Sequence, residues 1–173
     1  MRAILKNIKI KWVAYALEMV IIFILQNTPG LIPSFLGQKP MLLVIFAVSI
    51  AIFEGDVAGV SFGIAAGALM DLTASSVFGF YTLIMMLVGY AAGICVIYLM
   101  RNNLVSCIVL STAGVFFLSF VQWLFEFAIW GDAGTWYFLY GVILPRMIYS
   151  AALTPVAYYF NRSLAAHLSS DTE

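Results

Sequence analysis

The residues able to do chemistry are few, and three of them stand where apolar sequence surrounds them: Glu18, Glu126 and Arg146. An ionisable group at membrane depth is costly, so it faces a bundle interior, a polar pathway or a partner. Glu126 falls one turn below the outer end of the fifth apolar stretch, and Arg146, just after Pro145, a few turns into the sixth. An ion pair between them is the expected arrangement, with a substrate or proton path as the alternative. Asp71 closes the third apolar stretch. It reads either as a solvated interfacial carboxylate or as the organiser of the loop 72–79 or of a partner contact. Glu54 and Asp56 flank Gly55 in a polar turn, where they solvate the chain or receive a basic patch.

Catalytic signatures do not assemble. Gly59-Val60-Ser61-Phe62-Gly63 fits the spacing of a hydrolase nucleophile elbow. That elbow needs a strand-turn-helix setting and a histidine partner. Here the serine falls in a glycine-rich helical stretch, and the sole histidine is His167 in the tail. Cys95 and Cys107 lie in or beside apolar stretches without a CxxC partner, which reads as buried thiols rather than a disulfide or metal site. No HExxH or P-loop occurs. The expectation is a protein that is not an enzyme, with no catalytic residue, metal or cofactor.

What the sequence offers instead is a surface for close contact. Gly55, Gly59, Gly63 and Gly67 recur every four residues, and Gly89 and Gly93 repeat the spacing on the next stretch. Residues four apart share a helix face, and a face without side chains lets another backbone approach closely in lipid. Such a face serves either packing within the chain or docking of a partner helix.

The elements carrying these residues must live in lipid. Hydrophobic residues make up 64% and charged residues 9% of the 173, against about 25% charged in soluble domains. That leaves too little charge to cover a water-facing surface. The zero net charge argues against nucleic acid. Six apolar segments are predicted, at 12–25, 41–53, 57–70, 80–100, 104–130 and 136–160, in one multi-pass domain with a polar tail after 160. Glu18 and the absence of a small-residue cleavage site favour a retained first helix over a signal peptide. Segments two and three are too short to cross a hydrocarbon core of about 30 Å unaided. They span within the shelter of the bundle or form a re-entrant hairpin turning at 54–56. Arg2, Lys6, Lys9, Lys11, Arg101 and Arg162 then fall on one side and only Lys39 on the other. The positive-inside rule places both termini in the cytoplasm. Trp12 marks the inner interface, and Trp130 and Trp136 the outer.

The central third resembles MreD, the bacterial rod-shape-determining membrane protein family. The resemblance rests on Lys39-Pro40-Met41-Leu42-Leu43, Glu54-Gly55, Gly59 to Gly63, and Gly67-Ala68-Leu69-Met70-Asp71. Phe78-Gly79, Leu87-Val88-Gly89-Tyr90 and the run Pro145-Arg146 to Thr154-Pro155 extend it. Met41 stands where the family typically has aspartate after the proline, and Ala68-Leu69-Met70 where it typically has Leu-Leu-x.

The resemblance implies a scaffold in the bacterial cytoplasmic membrane that binds MreC, itself a single-span protein with an extracytoplasmic domain. Through it the scaffold would join MreB filaments to RodA and a class B penicillin-binding transpeptidase for wall elongation. It also implies a fold similar to the substrate-binding component of energy-coupling-factor (ECF) transporters. The alternative function is accordingly a carrier subunit for a vitamin or other small molecule. Its pocket would open outward under the loop 72–79 and draw on Asp71, Thr82, Gln122, Glu126 and Arg146.

Overall fold

A computed structural model describes residues 2–34, 37–74, 78–99, 102–125 and 139–169. Among these residues there are six α-helices and no strand: α1 (Arg2–Asn27), α2 (Leu42–Glu54), α3 (Asp56–Asp71), α4 (Phe80–Tyr98), α5 (Leu104–Trp123) and α6 (Leu144–Ser169). A π-helical turn, Leu139–Ile143, leads into α6. Ile10–Asn27 of α1, Phe80–Tyr98 and Leu104–Trp123 are each long and apolar enough to cross a membrane.

The centre of the bundle is its shortest helix. α2 has 13 residues, about 20 Å at 1.5 Å per residue, well below the bilayer core. Every residue from Leu42 to Ile52 is buried, because α1, α3, α4, α5 and α6 all pack against it. An all-round apolar helix is stable when protein covers every face. Unpaired backbone groups are penalised when buried, and neighbouring side chains serve both of its ends. The Gln26 carboxamide oxygen accepts from the Leu43 N–H at 3.1 Å, and the Ser150 hydroxyl from the Met41 N–H at 3.2 Å. At the other end the Asn102 amide reaches the Ile52 carbonyl at 3.5 Å.

Consecutive helices run in opposite directions. Lys11 meets Glu54, and Gly93 meets Asp56, at one end of the bundle; Gln26 meets Leu43, and Gly67 meets Thr82, at the other. The start of α1 and the end of α6 therefore share an end. α2 and α3 are joined by Gly55 alone, whose φ of +89° is the left-handed conformation glycine adopts without strain. Its N–H bonds back to the Ala51 carbonyl and its carbonyl accepts from the Gly59 N–H, both at 2.9 Å, so one residue ends one helix and begins the next.

The helices extend past the apolar segments. α1 reaches from Arg2 to Asn27, where Asn27 and Thr28 side chains bond the Phe23 and Ile24 carbonyls. α6 continues through the polar stretch to Ser169 instead of stopping near residue 160. Leu, Ala and Arg in that stretch favour helix, and Leu164 packs against the core. Apolarity marks where lipid begins, whereas helix propensity and hydrogen bonding decide where the helix stops.

Candidate functional site

Among the described residues the α3–α4 pair is the most closely packed, and the glycine pattern is the reason. A Cβ built on Gly63 would lie 2.5 Å from the Met85 carbonyl oxygen, and one on Gly67 would lie 2.6 Å from that of Tyr81. Gly59 and Gly89 lie directly against each other's backbone, and Gly93 lies against the backbone of Asp56. No Cβ fits at any of these five positions unless the backbones separate. The contact is backbone on backbone, held by van der Waals packing where lipid offers no hydrophobic drive between helices. Gly55 belongs to the same numerical series but acts through conformation: its nearest neighbour to a Cβ would be Ile97 Cδ1 at 3.9 Å. A foreign helix seeking these glycines would have to displace α4. Gly114 on α5 escaped the sequence reading; a Cβ there would meet Val88 Cγ1 at 2.8 Å. Its signal was the run of small residues Ser106, Ser111 and Gly114, masked by the aromatic residues that follow.

Asp71 locks one end of this seam. It is buried, 5% exposed, and accepts the backbone N–H groups of Tyr81 at 3.0 Å and Thr82 at 3.1 Å, together with the Thr82 hydroxyl. These N–H groups belong to the first turn of α4, which has no intrahelical partner for them. The residue preceding that turn is Gly79, with φ +97° and no side chain to cap it. The carboxylate therefore caps α4 from ten residues upstream, and its charge suits the positive end of the α4 dipole.

Glu54 at the opposite end lies 2.6 Å from the Lys11 ammonium and accepts from the Tyr15 hydroxyl at 3.0 Å. These bonds pin α1 to the α2–α3 turn. Asp56 occupies the first turn of α3, again a favourable place for an acid. Trp12 stacks on Phe62 at 5.4 Å between ring centroids, anchoring α1 to α3. Arg146 donates to the Gln38 carboxamide at 3.2 Å and lines a cleft of about 220 Å³ with Gln26, Lys39 and Met41. Glu126, Trp130 and Trp136 lie outside the described residues. Ser61 donates to the Val57 carbonyl at 2.8 Å within α3, so it is a helical hydroxyl bonded to its own backbone.

These features describe a helix bundle whose polar groups clamp helices together. The whole chain, compared with known families, matches the model for rod shape-determining protein MreD over residues 6–165. The chain belongs to the MreD family. No curated protein and no solved structure matches it, so the likeness to transporter components has no structural match behind it. As an MreD family member it is a rod-shape-determining membrane protein. Of the five polar residues of a carrier pocket, Asp71 and Thr82 bond each other, Arg146 lines a cleft with Gln26, Lys39 and Met70, and Glu126 lies outside the described residues.

Proposed function

We propose that this MreD family member is a non-enzymatic scaffold of the bacterial cytoplasmic membrane, binding MreC directly. Through MreC it would bring MreB filaments, RodA and a class B penicillin-binding transpeptidase into one wall-elongating complex. The family match over residues 6–165 carries the reading. The structure supports it physically. Polar groups at the helix ends hold the bundle together, while apolar side chains such as Leu17 and Ile24 on α1, Leu83 and Leu87 on α4 and Phe117 on α5 are exposed. Surfaces of this kind meet lipid or the spans of other proteins. In this reading all six helices sit in the bilayer with both termini in the cytoplasm, and the 54–56 turn faces inward.

The carrier alternative, with an ECF-type fold, has less support, because the family match points to cell shape. The two readings separate in one preparation. The tagged chain, solubilised from native membranes and analysed by mass spectrometry, should retain MreC. Loss of MreC from a monodisperse, folded preparation, combined with thermal stabilisation by a vitamin, would favour the carrier.

A further inference from the structure

The cleft that Arg146 lines lies at one end of the bundle, where α1 and α3 finish and α2 and α6 begin. Its wall includes Gln26 and Asn27 of α1, Lys39 and Met41 ahead of α2, Met70 of α3 and Arg146 of α6, around a volume of about 220 Å³. Among the described residues that line it there are two cations and no acid. Asp71, next to Met70, is engaged by the start of α4. Asn27 and Lys39 are exposed at the mouth, whereas Gln26 and Arg146 are partly covered. An Arg146 N–H donates to the Gln38 oxygen at 3.2 Å, which holds the guanidinium at the wall. Gln26 has its oxygen on the Leu43 N–H and offers a ligand its –NH2 group. Two candidate spans fix the depth of the cleft. Asn27 is the last residue of the apolar stretch of α1 and Phe80 the first of that of α4, and Asp71 bonds the Tyr81 N–H beside it. The cleft therefore sits where hydrocarbon gives way to headgroups, whichever side of the membrane this end faces.

We infer that this cleft binds the phosphate of an anionic phospholipid headgroup, with Arg146 and Lys39 pairing with its oxygens and Gln26 adding a neutral donor. A guanidinium matches phosphate with parallel N–H donors, and an ammonium adds a point charge on a flexible stem. Basic pockets between spans take lipid phosphates in this way. The volume equals that of several waters at about 30 Å³ each, which suits a phosphate whose acyl chains stay outside, against the apolar helix faces. A zwitterionic headgroup brings its own cation to the same place and is disfavoured. The inference rests on the membrane reading and goes beyond the scaffold: a bound lipid would tie the entry of α2 to the start of α6.

The test titrates the purified full chain, in a neutral detergent, with dioctanoyl phosphatidylglycerol, dioctanoyl phosphatidylcholine or inorganic phosphate. Native mass spectrometry counts bound lipid, and the melting temperature reports occupancy. Phosphatidylglycerol should bind at least about tenfold more tightly than phosphatidylcholine, and inorganic phosphate at equal concentration should not match it. Lys39→Gln and Arg146→Gln should each weaken phosphatidylglycerol about fivefold, the effect of one basic side chain at a membrane surface, and added salt should act in the same direction. Arg162→Gln, which removes an exposed cation farther along α6, should leave the preference unchanged. Equal binding of the two lipids, or a preference that persists in both cleft variants, would overturn the proposal. An equal response to inorganic phosphate would overturn the lipid as the source of the phosphate. If Arg146→Gln does not fold, Lys39→Gln decides: an undiminished preference there makes Arg146 a structural residue and removes the site. Recovery of MreC from membranes with equal binding of the two lipids would remove only the cleft; the reverse would remove only the scaffold assignment.

Discussion

At the scale of single residues, the molecule depends on atoms that are absent and on one carboxylate that is placed with care. Gly63 and Gly67 touch backbone where a Cβ would belong, so Gly63→Leu and Gly67→Leu should each part α3 from α4. The cost is expected at about 3 kcal/mol or more, in the range of severe overpacking, read as a lower melting temperature in detergent. Gly55→Ala should also destabilise, but through its positive φ, by about 1 kcal/mol. Equal and small losses at all three positions would contradict the distinction. Asp71→Ala leaves the buried Tyr81 N–H and the part-buried Thr82 N–H and hydroxyl without their acceptor and should cost about 2–3 kcal/mol. Asp71→Asn, which keeps one acceptor oxygen, should cost less. The glycines were legible because period four is visible in any helix. Which partner they meet was not, because period carries no information about the opposing surface. Asp71 was legible as a polar stop, but its capping of Tyr81 and Thr82 depends on a loop bringing residues ten apart together.

At the scale of elements, α2 shows how an apolar helix too short to cross a bilayer unaided is sheltered inside the bundle. Burial on every side replaces length, and Gln26, Ser150 and Asn102 supply the bonds that water would otherwise make. Ser150→Ala should therefore destabilise by about 1 kcal/mol although it removes a single oxygen, while Ser61→Ala, whose hydroxyl is exposed and bonded within its own helix, should be near neutral. Thermal melts of the two variants side by side check this. Each of the six helices among the described residues overlaps an apolar stretch visible in the hydropathy. The polar extension of α6 was not visible there, since hydropathy tracks solvent and not backbone conformation. The partners of Gln26 and Ser150 were also invisible, lying 17 and 109 residues away along the chain.

At the scale of the whole molecule, the polar groups described above bond within the bundle while several helix faces stay apolar. Its ion pair between Lys11 and Glu54, its Asp71 cap and its glycine seam are all turned inward, and its outer faces on α1, α4 and α5 are apolar. In the proposed scaffold role, a bundle of this kind would act through what it holds next to itself. Reporter fusions at residue 1 and residue 173 should both be cytoplasmic, as the lysine and arginine distribution and the alternating helices require; opposite locations would break the six-span arrangement. The most direct measurement of the central claim is cell shape. In a rod-shaped bacterium depleted of its own MreD family member, expression of this chain should restore constant cell width, and Gly63→Leu at the same membrane level should not. Cells that stay rounded with the unaltered chain folded and present in the membrane would contradict the account.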